Sequence, residues 1–231
     1  MRASASAVSG RVLLVASPKG GVGKSSLSRN VLVAATIAGL RVRGVDLDAQ
    51  QTLVKWYQRR EFLRRSYPET PEVPVVGVAL SEWRAAAKDA SDYDLTVLDT
   101  PPSVEQQYAA ALDLCETAHH VLVPTGATQD DVDSVTPWMQ TLNRAGIPCS
   151  FVLNRANRRV KSYETIRAKL LKVGELCPIE IPLLEDIHVS AGKGLAVLDM
   201  TTKRTNETFD ALWTYVARKL GLAIPAEATA V

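Results

Sequence analysis

Near the start of the chain, two lysines and three serines frame a run of glycines, in the order Ser17-Pro18-Lys19-Gly20-Gly21-Val22-Gly23-Lys24-Ser25-Ser26. Glycines let a backbone curl until its N–H groups converge on one point, and a helix that follows adds positive potential at its N-terminus. An ammonium group and a hydroxyl at the end of such a loop suit phosphate oxygens and Mg²⁺. The segment therefore predicts a phosphate cradle, in which Lys24 reaches the β- and γ-phosphates and Ser25 binds Mg²⁺. Its nucleotide-binding residues are predicted to be Lys19, Gly20, Gly21, Val22, Gly23, Lys24, Ser25 and Ser26.

The loop departs from the ordinary GxxxxGK[ST] pattern at its first glycine. Pro18 stands at that position, and Lys19 precedes a Gly-Gly pair instead. This KGGxGK[ST] form resembles the deviant Walker A motif of the ParA/MinD family of ATPases. The resemblance implies that Lys19 crosses a dimer interface to the partner subunit's nucleotide. A charge supplied in trans would stabilise the transferring γ-phosphoryl group, so that ATP binding and homodimer formation would be linked.

Two acidic elements follow in the order that the family has them. Val45-Asp46-Leu47-Asp48-Ala49-Gln50 resembles the first switch, usually DxDPQ, although Ala49 replaces the proline. That match implies that Asp48 orients the attacking water. The apolar strand Leu95–Asp99 resembles a Walker B strand, so Asp99 would hold Mg²⁺ through water, and Thr100-Pro101-Pro102 would form the second switch.

Adenine recognition is predicted at two positions late in the chain. Asn154 ends an apolar run and resembles the family position whose amide binds adenine, since an amide is both donor and acceptor. The alternative for Asn154 is a cap of a turn or helix. Pro182 is predicted to pack on the other side of the base.

Short apolar runs alternate with longer stretches of helical period, which is typical of a sheet covered by helices. The predicted strands are Val12–Ala16, Arg41–Asp46, Val73–Val78, Leu95–Asp99, His120–Pro124, Cys149–Asn154 and Pro178–Pro182. The predicted helices are Ser25–Ala38, Thr52–Arg64, Leu80–Ala90, Val104–Leu114, Asp130–Ala145, Ser162–Val173 and Asn206–Leu220. We therefore expect one α/β domain with a doubly wound, mostly parallel sheet over residues 11–222, a disordered tail over 1–10 and a short tail over 223–231.

Composition excludes several classes of protein. With 46% hydrophobic and 23% charged residues, the 231-residue chain is typical of a folded single domain. Residues 1–10 do not resemble a secretory signal, and no apolar run approaches the ~20 residues of a membrane-spanning helix. The three cysteines form no CxxC pair and are expected to be buried thiols in a reducing cytosol, which predicts a cytoplasmic protein.

The net charge of +2 indicates little by itself, but basic residues are concentrated late in the chain. Seven lie between Arg155 and Lys172, against the single acid Glu164. Phosphate contacts from such a patch bind DNA without sequence preference, and a dimer would double it. The predicted DNA-binding residues are Arg155, Arg158, Arg159, Lys161, Lys193, Lys203 and Arg204. A second cluster beside the first switch could serve a partner protein and contains Lys55, Arg59, Arg60, Arg64 and Arg65.

The resemblance extends over residues 11–220 and is to short ParA proteins, which have no helix-turn-helix module before the P-loop. It implies an ATPase that uses ATP and Mg²⁺ to position a cargo on the nucleoid with an adaptor of ParB type. The alternative is a MinD-like membrane-associated ATPase, but residues 221–231 have no basic residue to bind lipid, so we do not expect a membrane partner. An iron–sulfur reductase on this scaffold would need a cysteine before the Walker B strand, and all three cysteines follow Asp99.

Overall fold

The computed structural model describes residues 10–102, 108–200 and 203–223, without the side chains of residues 108, 109, 203 and 204. Seven parallel strands in this part of the chain form one sheet, in the order β3-β2-β4-β1-β5-β6-β7. The strands are β1 Arg11–Val15, β2 Val42–Asp46, β3 Val75–Gly77, β4 Leu95–Asp99, β5 His120–Thr125, β6 Cys149–Ala156 and β7 Ile181–Pro182. The predicted α/β class and parallel sheet are confirmed.

Helices cover both faces of the sheet. They are α1 Lys24–Ile37, α2 Thr52–Arg64, α3 Trp83–Lys88, α4 Tyr108–Glu116, α5 Gln129–Arg144, α6 Ser162–Val173, α7 Glu185–Gly192 and α8 Lys203–Leu220. Buried residues of α1, α2, α7 and α8 share one apolar core with the sheet. Buried residues of α3, α4, α5 and α6 share the other core. Because neighbouring β1 residues point to opposite faces, Leu13 joins the first core and Leu14 the second.

Apart from shifts at the ends of elements, the predicted elements differ from the observed ones in two places. The helix predicted over Leu80–Ala90 is divided into a 3-10 turn at Leu80–Glu82, the short α3, and a second 3-10 turn at Asp89–Asp92. The residues expected to begin α4, 104–107, lie outside the described part, as do the tails over 1–9 and 224–231. The sequence analysis missed α7, since eight residues are too few to establish a helical period.

The apolar face of α8 and the three cysteines are buried, and for the cysteines this confirms the prediction. The apolar face of α8, formed by Phe209, Leu212, Trp213, Val216 and Leu220, is buried in the first core. The three cysteines are free and buried.

The segment 185–199, which we name the α7 joint, connects the helix after the phosphate loop to the helix after the first switch. In α1, Asn30 accepts a hydrogen bond at Oδ1 from the backbone N–H of Val197, at 2.8 Å. In α2, Trp56 donates from Nε1 to the carbonyl of Leu195, at 3.0 Å. Because α1 and α2 both bond to it, the α7 joint holds the two helices in one arrangement.

A buried ion pair strengthens the α2 side of this joint. The Arg60 guanidinium is fully buried and makes a bidentate pair with Asp199, with N–O distances of 2.7 and 3.0 Å. Its remaining donors bond to the carbonyls of Pro71 and Gly194. Placing Arg60 in a partner-binding cluster was therefore wrong. Arg64, from the same cluster, pairs with Glu61 and donates to the carbonyl of Thr70.

Asp199→Ala should destabilise the fold by about 3–5 kcal/mol, because it leaves the buried Arg60 guanidinium without its counter-ion. Urea denaturation followed by circular dichroism would measure the loss. Glu72→Ala is the control, since its 3.7 Å pair with Arg64 is exposed and contributes about 1 kcal/mol or less. Equal effects from the two substitutions would contradict the structural role of Arg60.

Candidate active site

The glycine-rich segment after β1 forms a tight loop that ends where α1 begins. Gly21 and Gly23 have φ angles of +73° and +95°, which residues with a side chain rarely adopt. Gly23 is also constrained by space, because a Cβ there would lie 2.1 Å from Nδ2 of Asn154. The loop can therefore present its backbone N–H groups at the N-terminus of α1, as a phosphate cradle requires.

Lys24 is turned into this loop. Its Nζ donates to the carbonyls of Lys19 and Ser17, at 3.0 and 3.3 Å, and the residue is 7% exposed. Burial lowers the pKa of Lys24, while the charges of Asp99 and Asp48 oppose that shift. The ammonium group thus lies inside the loop and close to two carboxylates, the position from which the sequence predicts phosphate contacts.

Lys19 is turned the other way. Its Nζ pairs with Oδ1 of Asp131 at 2.5 Å, outside the loop. Asp131 lies in the first turn of α5, where it accepts hydrogen bonds from the hydroxyl and the N–H of Thr128 in a capping box. Burial would raise the pKa of Asp131, but the bonds from Lys19 and Thr128 leave it below its usual value. The two lysines of the motif therefore occupy different environments, and the sequence analysis missed Asp131.

Asp99 is fully buried at the end of β4 and has unused bonding capacity. Its Oδ1 accepts from the Ser28 hydroxyl at 3.0 Å, while its Oδ2 has no hydrogen-bond partner. Burial and the Asp46 charge raise the pKa of Asp99 to about 7, whereas the hydroxyls of Ser25 and Ser28 and the Lys24 charge lower it. A free carboxylate oxygen beside the Ser25 hydroxyl is a donor set that suits Mg²⁺, so these two residues fit the predicted metal.

The two aspartates of the first switch have separate tasks. The Asp46 carboxylate is buried and accepts from three backbone N–H groups, those of Asp48, Leu53 and Val54, at 2.8–3.1 Å. It therefore shapes the switch and caps α2, a role that the sequence analysis missed although an acid before a helix is a signal for it. Asp48 is half-buried, and its Oδ1 accepts only a local bond from the N–H of Gln50 at 2.9 Å. The geometry leaves the second oxygen of Asp48 available for the role predicted for it.

Asn154 fastens β6 to the phosphate loop. Its Nδ2 donates to the carbonyl of Val22 at 2.7 Å, and its Oδ1 accepts from the N–H of Arg155 at 2.9 Å. The side chain lies beside the loop, but both of its polar atoms already have protein partners. Pro182 pairs with β6 and lines a neighbouring cavity of about 620 Å³. Adenine contacts by Asn154 and Pro182 remain predictions.

The predicted DNA-binding residues do not form one surface. Arg155 is exposed near the end of β6, and Arg158, Arg159 and Lys161 are exposed between β6 and α6. Arg158 and Arg167 both pair with the buried carboxylate of Glu180, at 2.8 and 3.4 Å. Lys193 directly follows α7 and lines a groove with α2, whereas α6 covers the opposite face of the sheet. The side chains of Lys203 and Arg204 lie outside the described residues.

Comparisons with known proteins agree with this geometry. Residues 13–224 match the family model of the CobQ/CobB/MinD/ParA nucleotide binding domain. The chain is 27% identical over 206 residues to the maintenance of carboxysome distribution protein A of Gloeobacter kilaueensis. The aligned region covers 85% of this chain and 88% of that protein.

Two solved structures have the same fold at low identity. One is the septum site-determining protein MinD of Pyrococcus horikoshii with Mg-ADP, with a TM-score of 0.71, 18% identity and coverage of 89% of this chain and 95% of that one. The other is the D38A variant of Cyanothece McdA with ATP, with a TM-score of 0.66, 15% identity and coverage of 94% and 98%. The match to the family model spans nearly the whole described chain and includes the loop, both switches and Asp99. This protein therefore belongs to the CobQ/CobB/MinD/ParA nucleotide-binding family and is a P-loop ATPase that uses ATP and Mg²⁺.

Proposed function

We propose that this protein is a ParA-like positioning ATPase, which dimerises on ATP, binds DNA without sequence preference and uses hydrolysis to distribute a cargo. The observation that carries the proposal is the opposite orientation of the two loop lysines. Lys24 is turned into its own cradle, and Lys19 is turned out of it toward Asp131. The relative named for carboxysome distribution supports a positioning role. The cargo and a ParB-type adaptor are expected partners.

Dimerisation follows from the outward lysine. In its cradle, Lys24 already supplies the charge that the β- and γ-phosphates of the bound nucleotide need. Lys19 can serve a second nucleotide only after it leaves Asp131, and it then brings positive charge to the partner subunit's γ-phosphate. Charge placed there in the transition state lowers the barrier to phosphoryl transfer. The ion pair with Asp131 therefore holds Lys19 in a resting position.

Hydrolysis would proceed in the space between the loop and the two switches. Lys24 holds the phosphates, and Asp48 accepts a hydrogen bond from the attacking water and orients it. Ser25 and Asp99 would hold Mg²⁺, which when bound neutralises phosphate charge. Because Asp46 fixes the backbone of the first switch, it positions Asp48 without reaching the reacting atoms.

The proposed DNA contacts lie on residues 155–161, at the end of β6 and in the segment before α6. Of these residues, Arg155, Arg159 and Lys161 have exposed basic side chains with no carboxylate partner among the described residues. Arg158 is held by Glu180, which neutralises part of its charge. The proposed phosphate contacts therefore centre on Arg155, Arg159 and Lys161.

The alternative is a MinD-like membrane-associated ATPase, since MinD structures share the fold. Within residues 10–102, 108–200 and 203–223, no helix combines the length and the apolarity that crossing a membrane would require. The amphipathic helix α8 has its apolar face in the core, so that face is not available to lipid. The burial of the apolar face of α8 favours DNA over a membrane as the surface that the ATP-bound protein binds.

The two lysines should give different defects when each is replaced by alanine. Lys24→Ala should abolish ATP binding, because no other described side chain places a cation inside the loop. Lys19→Ala should bind ATP within a few fold of wild type but neither dimerise nor hydrolyse it, because the missing charge belongs to the partner's site. Nucleotide titration and ATP-dependent light scattering would separate the two. Normal ATP-dependent dimerisation of Lys19→Ala would contradict the trans role.

Asp131→Asn should make ATP-dependent dimerisation easier, because it removes the charge that holds Lys19 but keeps an oxygen for the cap of α5. The protein concentration at which half of the chains are dimeric with ATP should fall by up to about fivefold, since a partly exposed ion pair contributes about 1 kcal/mol or less. Analytical ultracentrifugation with ATP would measure it, with Asp130→Asn, an exposed neighbour in the same turn, as the control. A weaker dimer would instead place Asp131 in the dimer contact.

DNA binding should appear with ATP and Mg²⁺, be largely absent with ADP, and fall steeply with salt. In a mobility-shift titration on unrelated duplexes, Arg159→Ala/Lys161→Ala should weaken binding to every sequence alike. The slope of log affinity against log salt should fall in magnitude by about 1 for each phosphate that the variant no longer neutralises. The titration can also be made with Asp48→Ala, which should not hydrolyse ATP and should therefore stay in the ATP-bound state.

Lys88→Ala is the matched control, an exposed lysine on α3 outside the basic segment. Its DNA affinity should equal that of wild type. Co-sedimentation with anionic vesicles tests the alternative. ATP-dependent binding to vesicles without any ATP-dependent DNA shift at low salt would replace the DNA proposal with the membrane one.

A further inference from the structure

The exposed side of α2 forms a groove with the end of α7. Its volume is about 580 Å³, and we name it the α2 groove. The residues that matter here are Lys55, Arg59, Phe62, Leu63, Tyr67 and Lys193. Phe62 is 73% exposed and Tyr67 is 54% exposed, so two large aromatic side chains lie open to solvent. Aromatic side chains grouped at the surface of a monomer mark an interaction site more often than isolated apolar residues do.

The charge around these aromatic residues has a single sign. Lys55, Arg59 and Lys193 line the groove, and no acidic residue does. Arg59 uses its Nε to bond the carbonyl of Ala191 at 3.2 Å, which leaves the rest of its guanidinium to the groove. The side chains of Lys55 and Lys193 have no carboxylate partner among the described residues. The groove therefore combines an apolar floor with a cationic rim.

The groove lies over the contact between α2 and the α7 joint. Phe62 and Tyr67 belong to α2 and the turn after it, while Lys193 directly follows α7. A molecule that fills the groove would touch both parts and press α2 against the joint. Because α2 begins at Thr52, directly after the first switch, and its first N–H groups bond to Asp46, fixing α2 also fixes the backbone that carries Asp48.

We infer that the α2 groove is the docking site for an acidic amphipathic segment of a partner protein. One or two apolar side chains of that segment would pack on Phe62, Leu63 and Tyr67, and its carboxylates would face Lys55, Arg59 and Lys193. The inference rests on the proposed function, in which such a partner is the adaptor. It adds the chemistry of the adaptor segment and the place where it binds, and through α2 it connects docking to the first switch.

Charge and shape favour this occupant over two others, a second copy of the chain and DNA. Two copies of the chain that met through their α2 grooves would bring like charges together, which disfavours self-association there. DNA would satisfy the cations, but phosphate contacts leave an apolar floor uncovered, and the floor contains the most exposed large apolar residue of the described chain. An acidic amphipathic peptide satisfies both parts of the groove.

Photo-crosslinking in the native cells tests the occupant directly. The photoreactive residue p-benzoylphenylalanine replaces Phe62 in the full-length protein, and the control position is Ile37, which is 55% exposed on α1. We expect a crosslink from position 62, absent at position 37, to a protein segment that carries acidic residues around apolar ones. No crosslink, or one to DNA, to lipid, to a second copy or to a segment without acidic residues would overturn the inference.

A synthetic peptide of the crosslinked segment, labelled with a fluorophore, then gives the affinity by anisotropy with the purified protein. Phe62→Ser and Lys55→Glu should each weaken binding at least tenfold. Ile37→Ser and Lys88→Glu, which change an exposed apolar residue and an exposed lysine outside the groove, should leave it unchanged. A peptide with its acidic residues changed to lysine should prefer Lys55→Glu over wild type. Binding that ignores Lys55→Glu would refute the charge argument.

ATP turnover and ATP-dependent DNA binding, measured without the peptide, keep this test separate from the proposed function. Phe62→Ser should match wild type in both and in melting temperature, because its side chain is exposed and outside the nucleotide site. Wild-type protein that binds the peptide but never DNA would refute the DNA proposal and leave the groove standing. Wild-type protein that binds DNA but gives no acid-specific crosslink would refute the groove alone.

Discussion

The parallel register of β1, β4 and β2 is the constraint on which the rest of the site depends. It sets Val15, Asp99 and Asp46 level with one another at the carboxyl edge of the sheet. The phosphate loop, the Walker B carboxylate and the first switch therefore begin at the same height. Two buried carboxylates lie there; burial raises the cost of ionising each of them, and the charge of Asp46 adds to that cost for Asp99. Hydrogen bonds from backbone N–H groups and serine hydroxyls, together with the ammonium of Lys24, make this concentration of negative charge tolerable.

Two lysines five residues apart illustrate how environment separates identical side chains. Lys24 begins α1 and is drawn into the loop, where burial opposes its charge and nearby carboxylates favour it. Lys19 precedes the glycines and reaches the first turn of α5, where Asp131 is already held by Thr128. The partner of Lys19 thus comes from an element more than a hundred residues away in the chain.

The α7 joint connects the helices that follow two of the nucleotide-site loops. Asn30 in α1 and Arg60 in α2 both bond to it, so the helices that follow the phosphate loop and the first switch share one support. Arg29 adds a second tie, since its guanidinium bonds both Ser26 and the carbonyl of Ile187. The α7 joint therefore connects the helix after the phosphate loop to α2 through a continuous set of hydrogen-bonded groups.

The sequence by itself determined the strands, most of the helices, the phosphate loop and the two switch segments. These depend on local patterns: period-two and helical spacing, glycines where the backbone must curl, and an acid at the end of an apolar strand. The two elements that were missed or predicted wrongly also have local causes. The helix α7 is too short to show a period, and Leu80–Ala90 is interrupted by turns that a spacing of apolar residues does not reveal.

Tertiary structure alone decided what the charged residues do. Arg60 and Arg159 look alike in sequence, yet one is buried against Asp199 and the other is exposed. Asp131 and Glu180 gained their roles only when other segments of the chain brought a lysine or two arginines to them. Lys193 lies beside α2, on the opposite face of the sheet from α6, although it follows the α6 segment in the chain. The physical reason is that a charge acts on what is near it in space, and which charges become neighbours depends on packing across the sheet.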